Sequence, residues 1–91
     1  MQVRLSQAAL ADLVAIRSHI GFDNPAAASR IAVRLLAACD RLEYLPERGR
    51  AGLVPGMREL ATVWPYVIVY RLDATDVTIL RIWHGAQSRS P

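Results

Sequence analysis

Lysine is missing from this chain. All 11 basic residues are arginines, set against 8 acidic residues, for a net charge of +3. Arginine carries a planar, permanently charged fork suited to carboxylates and phosphates. An acidic protein or a nucleic acid would fit such a surface, and a charge of this size does not choose between them. Cysteine is scarce as well. A lone thiol, Cys39, excludes an internal disulfide and a multi-thiolate metal site. Its place in a helical apolar pattern predicts a buried, small apolar role. No apolar run approaches the roughly 18 residues of a membrane span. The opening MQVRLSQ lacks the basic-then-apolar layout of a signal peptide, so the expected compartment is the cytoplasm. Histidine is limited to His19 and His84, with no cysteine at ligand spacing, and neither a metal nor a cofactor is expected. Phosphate-loop, dinucleotide, H-E-x-x-H and G-x-S-x-G motifs are all lacking.

What is plentiful is apolar: 53% of the 91 residues are hydrophobic. The length suits one domain, residues 1–91, with one small core. So apolar a surface on so small a chain points to a partner. The organising stretch is Tyr66–His84, with two β-branched and aromatic runs, Tyr66–Leu72 and Val77–Trp83. The polar break Asp73–Asp76 between them predicts a β-hairpin. If Leu72 pairs with Val77, then Tyr66, Ile68, Tyr70, Ile79, Arg81 and Trp83 share one face. Val67, Val69, Arg71, Leu80, Ile82 and His84 share the other. A one-residue slip swaps these sets.

Ahead of the hairpin, Met1–Leu5 alternates as a short strand. Ser6 is an N-cap, and Ala9, Leu13, Ile16 and Ile20 recur at helical spacing, with Leu10 and Val14 widening the stripe and Gly21 ending it. Asn24-Pro25 restarts a helix whose stripe, Ile31, Leu35, Ala38, Leu42 and Leu45, runs to about Leu45. Positions 46–56 form a Gly/Pro-rich loop, Met57–Val63 is a third strand, and Trp64-Pro65 breaks it. The expected fold is α+β: a small antiparallel sheet in the order β-α-α-β-β-β, packed against an N-terminal helical hairpin. The edge that takes the first strand is left open by the pattern.

The acidic residues, Asp12 among them, fall at caps, turns and helix surfaces, where solubility and local pairing account for them. The basic residues Arg58, Arg71 and Arg81 lie in strands, where a charge needs a reason. With His84 at the end of the last strand, an arginine–histidine face could hold a phosphate and run acid–base chemistry on RNA. The competing reading has Arg71 and Arg81 reaching the rim or pairing with Glu59, Asp73 or Asp76.

Several segments together resemble a known family. They are Asn24-Pro25-Ala26-Ala27-Ala28, the Pro46…Gly49-Arg50-Ala51-Gly52 loop, Pro55-Gly56-Met57-Arg58-Glu59-Leu60, Tyr66-Val67-Ile68-Val69-Tyr70-Arg71 and His84-Gly85-Ala86-Gln87. In this order, over about Val3 to Gln87, they resemble the ParE branch of the RelE/ParE toxins. The resemblance implies a bacterial type II toxin–antitoxin operon, plasmid-borne or chromosomal. A cognate antitoxin would bind the toxin and contact DNA on behalf of the pair. It also implies one of two activities: inhibition of DNA gyrase, as in ParE-like members, or ribosome-dependent mRNA cleavage, as in RelE-like members. RelE-type nucleases carry an arginine where this chain has Val67, and another where it has Gln87. The non-enzymatic gyrase inhibitor is therefore the expected activity. The alternative endonuclease would use Arg58, Arg71 and His84. The target would meet Arg50, Arg58, Arg81, His84 and Gln87. The antitoxin would fill an apolar groove between helices and sheet, with Leu10, Val14, Ile31, Leu35 and Trp64 as candidates. Core packing is the competing role for each of them.

Overall fold

Ser6 joins the first strand to the first helix, and its hydrogen bonds show how the fold begins. Its Oγ accepts from the Ala9 amide at 3.0 Å, capping the helix, and donates to the Leu80 carbonyl at 2.9 Å. Its own amide donates to the Ile79 carbonyl at 2.9 Å. One residue therefore closes a helix end and ties it to the last strand.

The computed structural model describes residues 1–52 and 54–85. The elements are β1 (Gln2–Leu5), α1 (Gln7–Asp23), α2 (Pro25–Arg41), β2 (Arg50–Ala51), β3 (Met57–Val63), β4 (Tyr66–Leu72) and β5 (Asp76–His84). The expected order β-α-α-β-β-β is recovered with one added strand, the two-residue β2 on the Gly/Pro-rich loop. The sheet runs β1-β5-β4-β3-β2, and the helices pack on one face. It is mixed rather than wholly antiparallel, because β1 joins the β5 edge in parallel. A long connection permits parallel pairing, and here the helical hairpin and the other strands all lie between the two partners.

Two helix boundaries differ from expectation. Gly21 lies inside α1, which runs to Asp23. Asn24 makes the break: its amide donates to the Ile20 carbonyl at 2.9 Å, while its Oδ1 accepts from the Ala27 amide at 3.0 Å. One residue thus ends α1 through its backbone amide and starts α2 through its side chain, with Pro25 in the first turn, where its missing N–H costs nothing. At its other end α2 stops at Arg41, so Leu42 is buried beyond the helix and Leu45 is exposed.

The hairpin register starts as anticipated, with Leu72 opposite Val77 and Tyr70 opposite Ile79. It then shifts. Val69 faces Arg81 and Ile68 faces Ile82, so Leu80 is an extra residue in β5. This bulge reverses the predicted faces for the rest of the strand. Ile82, 2% exposed, turns into the core beside Ile68, while Arg81 and Trp83 turn to the face opposite the helices. Burial explains the choice: without the bulge, a guanidinium would point at the helices and an isoleucine at solvent.

The core gathers Leu35, Leu42, Ile68, Tyr70, Val77 and Ile79, all fully buried. Tyr70 also pins the Gly/Pro-rich loop. Its hydroxyl donates to the Pro46 carbonyl at 2.7 Å and accepts from the Gly49 amide at 2.9 Å. A side chain on Gly49 would place a Cβ 2.7 Å from that hydroxyl and 2.9 Å from the Glu59 carbonyl, so close approach requires glycine there. Gly56, at φ +84°, turns the chain into β3 in a backbone region that other residues rarely adopt.

Candidate functional site

β1 is shorter than β5, and beyond their pairing a cleft lies between α1 and β5. β1 pairs with β5 only as far as Ile79, after which Ser6 turns the chain into α1. The last residues of β5 therefore run along α1 with a gap between them. The resulting cleft of about 650 Å³ is lined by residues that include Ile16 and His19 of α1, Tyr66 of β4, and Trp83 and His84 of β5. The two histidines, distant in sequence, line one hollow. His84 meets the Tyr66 ring edge-on, with centroids 5.6 Å apart. Among the described residues, no group of three or more His, Cys, Asp or Glu side chains is placed to hold a metal ion.

Asp12 stands at the mouth of this cleft. Its Oδ2 accepts from Arg81 Nε at 2.7 Å and from the Ile82 amide at 2.9 Å, and its Oδ1 accepts from Arg81 Nη2 at 2.9 Å. Desolvation pushes its pKa up, but the Arg81 hydrogen bond, the Ile82 amide and the Arg81 charge outweigh it, and the carboxyl titrates below its ordinary range. The Arg81 guanidinium lies over the Trp83 ring, 5.2 Å from its centroid. Sequence reasoning considered Glu59, Asp73 and Asp76 as partners for Arg81 and missed Asp12. The missed signal is a lone carboxylate on the first turns of a mostly apolar helix.

The remaining predicted site residues are scattered. Arg58 donates to the carbonyls of Gly49 at 2.7 Å and Glu47 at 3.2 Å, so its guanidinium ties the loop to β3. Arg50 pairs with Glu59 at 3.1 Å on the opposite edge of the sheet from β1. Three inter-strand steps, roughly 14 Å, separate β2 from β5. Arg71 is exposed on the face away from the helices, one residue along from the buried Tyr70. Gln87 lies outside the described residues. Of the proposed antitoxin contacts, Leu10, Val14 and Trp64 are exposed, Val14 by 65% and Trp64 by 80%. Ile31 is half-buried against the core. Leu35 is fully buried and leaves that set: α2 turns it into the sheet, so it has no surface to offer. Phe22, Val33 and Leu36 are exposed apolar residues of the same helices that sequence reasoning did not single out.

Residues 3–89 match the family model described as the ParE toxin of the type II toxin–antitoxin system, parDE. The chain belongs to the ParE toxin family. Among curated relatives, it is 49% identical over 86 residues to "Toxin RelE2" of Caulobacter vibrioides, covering 94% of this chain and 97% of that protein. It is 38% identical over 87 residues to "Putative toxin Y4kP" of Sinorhizobium fredii, covering 94% and 90%. Among solved structures, a chain described as "Chromosomal ParDE TA system from P. aeruginosa" superposes with a TM-score of 0.83 at 28% identity, over 92% of this chain and 95% of that one. The chain is thus a type II toxin–antitoxin toxin with the RelE/ParE-like fold, and its class implies an antitoxin partner. No helix among the described residues is long and apolar enough to cross a membrane.

Proposed function

We propose that this ParE-family toxin acts in the cytoplasm by inhibiting DNA gyrase, without cutting nucleic acid, until its antitoxin covers it. The observation that carries the reading is the dispersal of the three groups a nuclease would need. Arg58 is engaged with the Glu47 and Gly49 carbonyls. Arg71 stands on the other face of the sheet from its neighbour Tyr70, which is buried under the helices. His84 pairs with Tyr66, four residues from Tyr70 along β4, or roughly 13 Å. Acid–base cleavage needs such groups within hydrogen-bond reach of one phosphodiester. Val67, where RelE-type nucleases carry an arginine, is buried and has no proton to move.

The antitoxin reading rests on exposed apolar residues of the helical hairpin. Leu10 and Val14 on α1, with Trp64 after β3, are apolar surface that a partner segment would cover, Ile31 lying partly beneath it. DNA would be met only through the antitoxin. The target would meet the end of β5 at Arg81 and His84, with Arg50 as a second contact at the far edge and Gln87 as a further candidate.

A second reading, ribosome-dependent mRNA cleavage, draws on one observation. His84 shares a cleft with His19 and Tyr66, all potential proton donors or acceptors. A supercoiling assay with purified gyrase, run beside a translation reaction, separates the two. Inhibition of supercoiling by the wild type that survives in His84→Ala, at most with reduced potency, supports the gyrase reading. Cleavage in the ribosomal A site, with no effect on gyrase, would falsify it.

A further inference from the structure

We infer that Asp12 is the positioning residue for the end of β5: seated at the edge that β1 leaves uncovered, it holds the strand beyond its bulge and sets where Trp83 and His84 stand. The function of that end as a target-contacting surface rests on the reading above; the positioning itself does not.

The argument starts from the edge. A strand edge exposes amides and carbonyls that must find partners. Along β5 these are met in succession by three devices. β1 covers the strand to Ile79. Ser6 then takes the Ile79 carbonyl through its amide and the Leu80 carbonyl through its hydroxyl. Asp12, nearly two turns into α1, takes the Ile82 amide. The pairing passes from backbone to side chains at the bulge itself, where the ladder to β4 is also broken.

The bulge decides which side chains face where. One residue fewer in β5 would send Arg81 and Trp83 under the helices and Ile82 out. Asp12 grips both sides of the shifted register at once, through the Ile82 backbone and the Arg81 side chain. The grip extends to Trp83, because the same guanidinium that Asp12 holds lies over its ring. The bidentate geometry leaves Arg81 little freedom to leave that ring. A general stability role would not select these atoms. An apolar residue at this rim would add burial but leave the Ile82 amide without its acceptor and Arg81 without its partner.

Amide exchange and indole resonances, read by NMR on the full chain, test this inference. Asp12→Ala is expected to speed exchange at the Ile82 amide about tenfold or more, with Ile68 and Tyr70 of β4 changed by less than about twofold. Arg81→Lys is expected to leave Ile82 protected while shifting the Trp83 indole N–H resonance, assigned with Trp83→Phe. Should Asp12→Ala not fold, Asp12→Asn carries the test: its amide oxygen can still accept from Ile82, yet it no longer holds the guanidinium by charge, so the indole shifts. The inference is overturned by unchanged Ile82 exchange in Asp12→Ala, by acceleration spread evenly over β4, or by an unmoved indole in Asp12→Asn. In the supercoiling assay Asp12→Asn should need about tenfold more protein than wild type, at a temperature where both are folded. Equal potency removes the end of β5 from the target-contacting surface, whereas a wild type inert on gyrase sinks the gyrase reading; in both cases the NMR result decides on the positioning by Asp12.

Discussion

The guanidinium of Arg81 meets the carboxylate of Asp12 through two hydrogen bonds, of 2.7 and 2.9 Å, across 69 residues of sequence. The pair joins the first helix to the last strand at a cleft lined by both histidines. It also fixes where the Arg81 charge stands at the end of β5. The face beside it is carried by Trp83, His84 and the cleft walls.

Acid should weaken this joint. The Asp12 carboxyl titrates below its ordinary value of 3.8, so it contributes stability above that pH and loses it as pH falls through the lower folded value. Arg81 stays charged throughout, and the other titratable groups lining the cleft are His19, Tyr66 and His84. Wild type should melt about 5 °C above Asp12→Asn at pH 6, reflecting about 1 kcal/mol after allowance for the solvent-exposed arginine. The gap should close as pH falls below 3.8 and through the lower folded value. Melting curves that stay parallel down to pH 2 would mean the carboxylate is not the source.

Tyr70→Phe isolates the loop anchor. It removes two hydrogen bonds and leaves the buried Gly49 amide without its acceptor. The expected cost is about 1–3 kcal/mol in denaturant midpoint. Arg48 and Arg50 on the freed loop should also become faster trypsin sites. An unchanged cleavage rate there would show that Arg58 alone holds the loop.

Leu35 and Val14 offer a contrast on neighbouring helices. Leu35→Ala empties a fully buried site and should cost about 2–5 kcal/mol. Val14→Asp changes a residue 65% exposed and should leave the free toxin within about 0.5 kcal/mol of wild type, while weakening antitoxin binding about tenfold or more. Titration calorimetry that finds Val14→Asp binding unchanged removes α1 from the antitoxin surface.

Cys39 should be silent to alkylation until the chain unfolds. Burial, with a smaller effect of the Asp40 charge, pushes its thiol up to about 12. At pH 8 iodoacetamide should label it only in denaturant. Fast labelling of the native chain would place the thiol in contact with solvent.

Local pattern carried much of this fold into view. Ser6 and Asn24-Pro25 announce their helices because a cap is a short-range bond between a side chain and the next turn. The hairpin is legible in Tyr66–Trp83 because runs of β-branched and aromatic residues and a polar break are also local, and Leu72 does meet Val77. The family resemblance rests on the same linear order of turns, prolines and glycines.

The chain by itself therefore determined all the elements but the short β2, their order and the family. Tertiary structure alone decided the bulge at Leu80, the parallel docking of β1 on β5, the partner of Arg81 and the placing of His19 and His84 on one cleft. Caps and turns arise between residues a few positions apart, so the sequence displays both partners together. A strand register, or a bond between Asp12 and Arg81, is chosen by which arrangement buries Ile82 and keeps a guanidinium paired. That comparison exists only once distant segments share a core.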